Sequence, residues 1–146
     1  MNQKEPYPLN AKEKELLHEE EKKLGRPLTE LSGGPAYSMC FACGKENPLG
    51  LHLHFFSIPG GCLAFFTPSH DHRMHGGLIM TLMDEVMGNY LFLNTGIPAY
   101  TGKMETRFRT PVLIGETVKV ICREIRRKRP LSVMEARVLH EDGTVA

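Results

Sequence analysis

Two adjacent acids, Asp84 and Glu85, lie in the middle of the apolar stretch HGGLIMTLMDEVMGNY, residues 75–90. A carboxylate inside such a stretch costs free energy unless it is paired or hydrogen-bonded. In a partly dry cleft, a carboxylate suits the work of a general base or a nucleophile. The alternative is a structural acid that bonds strand amides or an arginine such as Arg107, and the residues alone leave both readings open.

The helical period of this stretch gathers small and polar residues on one narrow stripe. The stripe contains Gly77, Thr81, Asp84 and Gly88, and Glu85 lies on its flank. Each glycine inside a helix costs on the order of 1 kcal/mol relative to alanine. We therefore expect a ligand or another backbone to approach the helix along this stripe.

The start of the same helix carries Gly76 and Gly77. The first amides of a helix have no intrahelical acceptor, and the helix dipole favours negative charge there. A carbonyl oxygen that becomes negatively charged in a tetrahedral intermediate would be stabilised at this place. A Gly-Gly pair is weak by itself, and Asp84 further along the stripe adds weight to it.

The N-terminal region predicts a peripheral helix over residues 10–24, which Gly25 and Pro27 end. Ser32-Gly-Gly-Pro35 is typical of a flexible link. The expected organisation is an N-terminal helical extension and linker, residues 1–36, followed by one domain, residues 37–146.

The rest of the chain predicts antiparallel strands around one long central helix. Alternating apolar and polar residues indicate strands over 51–57, 99–110, 116–127 and 131–140, and a hairpin after residue 58 adds a short strand over 62–67. The order favours an α+β fold, and because the central helix is apolar on nearly every side, we expect a curled sheet to cover it almost all round. Asp142-Gly143 signals a hairpin, so another strand is expected where the chain ends.

The composition narrows the classes of function. The 146 residues carry a formal net charge of +1 and are 41% hydrophobic, which fits one globular domain and not a basic nucleic-acid binder. Neither a signal-peptide core nor a run of about 20 apolar residues is present, so a cytoplasmic protein without a membrane span is expected. Four cysteines are too few and scattered for a disulfide scaffold.

A metal site is not expected from the sequence. Cys40 and Cys43 form half of a zinc knuckle, with His70, His72 and His75 as conceivable nitrogen ligands. A closed zinc site needs four ligands at suitable spacing, and a second Cys-x-x-Cys is missing. Two pairs brought together by dimerisation would be the exception.

Several of these motifs together resemble a known family. His75-Gly76-Gly77, Asp84 nine residues after the histidine, and Thr101-Gly-Lys-Met-Glu-Thr-Arg-Phe-Arg-Thr-Pro111 resemble hotdog-fold acyl-CoA thioesterases of the phenylacetate-degradation type. The loop from Cys40 to Leu51 resembles a lead-in found in one branch of that family. The similarity spans roughly residues 40 to 143 and leaves out the N-terminal helix.

The resemblance implies a fold, an assembly and a set of roles. The fold is the hotdog fold, a long helix wrapped by an antiparallel sheet, in homodimers or dimers of dimers with active sites at the subunit interface. Asp84 would be the nucleophile or general base that delivers water to the acyl-CoA thioester, and Gly76 the amide donor to the oxyanion. Thr101, from this or the other subunit, would position water, and His75 would orient the loop or touch the thioester.

The substrate would also meet further residues of the motif. We expect Gly77, His70, Thr81 and Glu85 to line it, with Glu85 as a structural partner of Asp84. No metal or cofactor is implied, since positioning, a carboxylate and an oxyanion site supply the catalysis.

One position departs from the family pattern. Many relatives have Asn or Gln upstream of His-Gly-Gly, whereas this chain has Ser69-His-Asp-His-Arg-Met74. Ser69, His70 or His72 would have to substitute, because deleting such a donor typically costs ~10²-fold or more in rate. The alternative function is therefore a hotdog module that binds acyl-CoA without hydrolysing it; a hotdog dehydratase would need a different arrangement of His and acid.

Two further groups have both a functional and an ordinary reading. Arg126-Arg-Lys-Arg129 would suit the phosphates of coenzyme A, but a solvated turn is the simpler interpretation. Met80, Met83 and Met87 are interpreted as adaptable core or acyl-pocket lining.

Overall fold

The computed structural model describes residues 7–31, 37–69 and 73–146. Its five strands form one open antiparallel sheet in the order β1-β2-β3-β4-β5, and α2 connects β3 to β4. This confirms the predicted α+β fold. The elements are α1 (Ala11–Leu24), β1 (Glu30–Leu31), β2 (Phe55–Ile58), β3 (Gly61–Phe66), α2 (Gly76–Thr95), β4 (Val118–Lys128) and β5 (Leu131–Leu139).

The main core lies between α2 and one face of the sheet. Ile79, Leu82, Met83 and Val86 are the buried side chains of α2. They pack with residues of β3 and β4 that alternate toward the helix, such as Cys62, Ala64, Val118 and Val120. The helix ends at Gly96, whose φ of +70° is the left-handed conformation that glycine adopts without strain.

The opposite face of the sheet is covered by α1. Asn10 caps this helix, with a capping box to Glu13. Leu16 and Leu17 pack on a second apolar cluster, and Lys119 of β4 holds Glu20 of α1 at 2.7 Å. The second cluster consists of Leu28, Phe56, Ile58, Leu63 and Phe65. No helix of the described residues is both long and apolar enough to cross a membrane.

The expectation that the central helix is covered almost all round is wrong for the single chain. The sheet packs against one side of α2, and Asp84 and Gly88 on another side are only half-buried. A Cβ atom at Gly88 would meet no atom within 4 Å. An open sheet cannot close around a helix, so the small-residue stripe faces outward.

The predicted strand over residues 99–110 is not formed. Within the described chain, the only amides of this segment with backbone acceptors are those of Arg109 and Thr110, which donate to the carbonyl of Ala146 at 2.6 and 3.0 Å. A strand needs a neighbour along its length, and residues 99–108 have none here. The alternation still sorts the side chains, because Met104 packs against the core while Lys103 and Glu105 are exposed.

The first predicted strand is also shifted. Residues 51–54 belong to a loop, since the amides of Leu51 and Leu53 donate to the carbonyls of Phe41 and Ala42 and His52 has a positive φ of 52°. β1 was not foreseen: it lies in the segment interpreted as an extension, yet it pairs with β2. The proposed link over residues 32–35 lies outside the described residues.

Candidate active site

The acid predicted to do chemistry lies on the outward stripe of α2. Asp84 is half-buried, and the hydroxyl of Thr101 donates a hydrogen bond to its Oδ1. Thr101 follows the helix end and is itself exposed. The structure therefore brings together, within one chain, an acid and a hydroxyl that are 17 residues apart. A water molecule bound beside this pair would meet both an acceptor for its proton and a group that orients it.

The start of α2 leaves one amide available. His75 caps the helix, and its Nδ1 accepts the N–H of Gly77 at 2.9 Å. A Cβ at residue 77 would lie 3.0 Å from that nitrogen, so a larger residue there would crowd the capping side chain. The N–H of Gly76 has no acceptor among the described residues. Of the two glycines, Gly76 is thus the one that can donate to an oxyanion.

Phe108 is a neighbour of this amide that the sequence did not predict. A Cβ at Gly76 would lie 3.3 Å from the ring of Phe108, which is 52% exposed. The alternation of residues 102–108 placed Phe108 on the same face as Met104, but it contained no signal for which element that face meets. Phe108 narrows the space above Gly76 on one side.

Gly76 and Asp84 are well separated along α2. Asp84 comes eight residues after Gly76 on the same helix, so their backbones lie about 12 Å apart along the axis. An oxyanion donor and a base must each reach groups on the same carbonyl carbon at hydrogen-bond distance, roughly 3 Å. Their shared stripe therefore does not by itself bring Gly76 and Asp84 of one chain to the same carbonyl group.

Other predicted substrate contacts have partners inside the protein. The hydroxyl of Thr81 donates to the carbonyl of Gly77 at 2.9 Å. Glu85 faces the loop before β2, where its Oε1 accepts Asn89 Nδ2 at 2.9 Å and the thiol of Cys40 at 3.7 Å. Neither side chain is aimed at the Asp84–Thr101 pair.

The residues expected to replace the upstream Asn or Gln are only partly described. His70 and His72 lie outside the described residues, and Ser69 is exposed. His75, which was also considered as a metal ligand, caps α2 through its Nδ1.

The basic cluster spans the end of β4 and the turn after it, since Arg126, Arg127 and Lys128 lie in the strand and Arg129 lies in the turn. Arg127 Nε donates to Glu124 Oε1 at 2.6 Å, and all four basic residues are exposed. The hydrogen bond from Arg127, and after it the one from Ser132, lowers the pKa of the Glu124 carboxyl. Among the three methionines, Met83 is buried, and Met80 and Met87 pack against the main core.

The thiol of Cys43 differs from that of an exposed cysteine in its pKa. Burial, and after it the Glu85 carboxylate, raises the pKa of Cys43 well above its usual range. Among the described residues, Cys40, Cys43 and Glu85 form a group whose ligand atoms would be close enough to hold a metal ion.

Comparison with solved structures shows the same fold in three thioesterase-related proteins. A crystal structure of a thioesterase superfamily protein has a TM-score of 0.66 at 17% identity, covering 93% of this chain and 75% of that chain. The E. coli PaaI protein from the phenylacetic acid degradation operon has a TM-score of 0.58 at 17% identity, with 65% and 76% covered. Thioesterase superfamily member 2 from Mus musculus has a TM-score of 0.56 at 14% identity. The match covers 94% of this chain and 92% of that chain.

The sequence itself also matches a family. No curated protein matches the chain. The family model of the thioesterase superfamily matches residues 72–146, just over half of the chain, and includes Gly76, Asp84 and Thr101. The fold is thus the hotdog fold that the motifs predicted, and the protein belongs to the thioesterase superfamily.

Proposed function

We propose that this protein hydrolyses acyl-CoA thioesters, with Asp84 as the general base or nucleophile. Membership of the thioesterase superfamily supports thioester hydrolysis as the class of reaction. The observation that carries the assignment to Asp84 is its contact with Thr101 on the outward stripe of α2. A structural acid would instead be sealed against strand amides, and no described amide donates to Asp84.

The active site is composed of two copies of the chain. Because Gly76 and Asp84 are about 12 Å apart along one helix, Asp84 and Thr101 act with the partner subunit's Gly76. Large apolar side chains remain uncovered close to these residues: Tyr100 is 94% exposed and Ile97 is 67% exposed. Such a patch favours burial against another protein surface, and a homodimer supplies the same surface twice.

The reaction needs no cofactor. As general base, Asp84 takes a proton from a water molecule that Thr101 orients, and the water oxygen bonds to the thioester carbon. The carbonyl electrons move to oxygen, where the N–H of the partner subunit's Gly76 and the positive end of its helix stabilise the charge. When the tetrahedral intermediate collapses, the carbon–sulfur bond breaks, and protonated Asp84 returns its proton to the leaving CoA thiolate. The products are the free acid and coenzyme A.

Thiol release from short, medium, long and aromatic acyl-CoAs tests the proposal. Wild type is compared with Asp84→Asn and with Glu85→Gln as the matched control, since the two residues are adjacent on α2. We expect the wild type and Glu85→Gln to release CoA and Asp84→Asn to lose activity by orders of magnitude. The acyl group with the highest kcat/KM then identifies the substrate class.

The alternative is an acyl-CoA-binding module without turnover. It is favoured by the departure upstream of α2, where Ser69 stands in a segment that carries Asn or Gln in many relatives. Binding of an acyl-CoA by calorimetry, without thiol release by the wild type, would establish this alternative and return Asp84 to a structural role.

A further inference from the structure

A second group of chemically active side chains lies beside α2 but outside the proposed catalytic stripe. The Sγ atoms of Cys40 and Cys43 and a carboxylate oxygen of Glu85 all lie within 4.8 Å of one another. The Sγ of Cys40 is 3.7 Å from Glu85 Oε1. All three residues are half-buried, so the group is held by the protein and remains open to solvent on one side.

Backbone hydrogen bonds hold the loop that carries the two cysteines in a tight turn. The N–H of Gly44 donates to the carbonyl of Cys40 at 2.9 Å, and Glu46 donates to Ser38 at 2.9 Å. A Cβ at Gly44 would fall 2.4 Å from the backbone nitrogen of Cys40. Only glycine fits this turn, and the turn holds both thiols on the side that faces α2.

The spacing suits a small thiophilic cation. Zinc bonds thiolate sulfur at about 2.3 Å and carboxylate oxygen at about 2.0–2.2 Å in a tetrahedron, so its ligand atoms lie roughly 3.5–3.8 Å apart. The Cys40–Glu85 separation of 3.7 Å already falls in that range. The widest separation, 4.8 Å at most, needs a movement of about 1 Å.

The carboxylate is also held in place by a hydrogen bond from its own helix. Asn89 Nδ2 donates to Glu85 Oε1 at 2.9 Å, and the two residues are one helical turn apart on α2. Metal-binding carboxylates are commonly held in this way by a neighbouring hydrogen-bond donor. Two soft thiolates with one carboxylate favour Zn²⁺ over Mg²⁺ or Ca²⁺, which bind oxygen ligands.

The other two cysteines show what ordinary core thiols look like in this protein. Cys62 and Cys122 are buried on neighbouring strands with their Sγ atoms 3.8 Å apart. Both thiols donate to the carbonyl of Val86, at 3.1 and 3.3 Å, and no described carboxylate bonds them. They serve as an internal control for the first pair.

We propose that Cys40, Cys43 and Glu85 bind one Zn²⁺ ion, with water as the fourth ligand. The ion connects the loop before β2 to α2 and acts as a structural link outside the proposed hydrolytic reaction. It adds to the contact of the Tyr37 ring with the ring of Phe92, whose centroids are 5.3 Å apart. Binding displaces the protons of both thiols, since zinc binds thiolates.

The test measures metal directly and does not depend on hydrolysis. The full-length protein, purified under a reductant without chelator, is analysed for zinc content. The metal-free protein is then titrated with Co²⁺ alone, whose thiolate-to-metal charge-transfer and visible tetrahedral bands report the ligands. The variants are Cys40→Ser/Cys43→Ser and Glu85→Gln, with Cys62→Ala/Cys122→Ala as the matched control. Circular dichroism checks that each variant is folded.

We expect about one zinc per chain in the wild type and in the control, because the three ligands of one chain can hold one ion. The Cys40→Ser/Cys43→Ser variant should lose the charge-transfer band, and Glu85→Gln should bind Co²⁺ at least about tenfold more weakly. Two results overturn the proposal: a wild type that shows no charge-transfer band with Co²⁺, or metal binding that persists unchanged in the folded Cys40→Ser/Cys43→Ser variant. A failed hydrolysis assay would leave both readouts intact.

Discussion

Asp84 and Glu85 are the same kind of group at adjacent positions of one helix, yet their surroundings differ. A step of about 100° along α2 turns one toward the outward stripe and the other toward the loop before β2. Asp84 accepts a hydrogen bond from the hydroxyl of Thr101. Glu85 accepts hydrogen bonds from the side-chain amide of Asn89 and the thiol of Cys40. The comparison teaches that neighbours assign the role of a carboxylate, which the helix sequence alone leaves undecided.

The largest expected effect separates these two acids by activity. Asp84→Asn should lower kcat by about 10³-fold or more, because the amide neither accepts a proton nor attacks the carbonyl. Glu85→Gln should stay within a few fold, since its carboxylate contacts Cys40 and Asn89 and not the Asp84–Thr101 pair. Steady-state CoA release measures both. Equal losses in the two variants would remove the distinction between the acids.

The next effect concerns the amide at the start of α2. Gly76→Pro removes one N–H at a helix position that accepts proline, and His75 has a ψ of 136°, which suits the residue before proline. We expect kcat to fall about 10²–10³-fold. Gly76→Ala is the matched control, because it adds a Cβ facing Phe108 but keeps the N–H. A loss that is as large in Gly76→Ala would point to steric disturbance instead.

Much of the fold could be predicted because its signals are local. The Gly25 stop after the first helix and the Asp142-Gly143 turn act on backbone angles within a few residues. In the structure, Gly25, Gly60 and Gly143 have φ values of +67°, +70° and +85°. The apolar run after His75 likewise identifies α2 without long-range information.

The features that could not be predicted depend on distant residues. Glu85 contacts Cys40, which lies 45 positions earlier in the chain, and no sequence pattern predicts that contact. The alternation of residues 99–110 is typical of a strand, but a strand forms only where a neighbour pairs with it. The family resemblance gave Thr101 as a hydroxyl that positions water, and its hydrogen bond to Asp84 within the same chain was not predicted.

A smaller effect tests the hydroxyl beside Asp84. Thr101→Val removes the hydroxyl but keeps the shape of the side chain, and we expect kcat to fall about tenfold through the loss of one hydrogen bond to a charged group. Thr101→Ser should retain most activity. If Thr101→Val changes KM alone, the hydroxyl binds substrate instead of positioning water.

The smallest effect concerns stability at the other end of the stripe. His75→Ala removes the acceptor that caps Gly77, and the free energy of unfolding should fall by about 1 kcal/mol. His75→Asn, which can still cap the helix, should restore most of it. Denaturant unfolding measures the difference, and an unchanged free energy of unfolding in His75→Ala would contradict the capping role.

The division of the site between two copies is the central claim, and mixed dimers test it most directly. Asp84→Asn and Gly76→Pro chains are each expected to be nearly inactive alone. Co-expressed in equal amounts with different affinity tags, they should regain about a quarter of wild-type activity, because half of the dimers are mixed and each mixed dimer has one intact site. Purified mixed dimers with no more activity than the single variants would contradict the account.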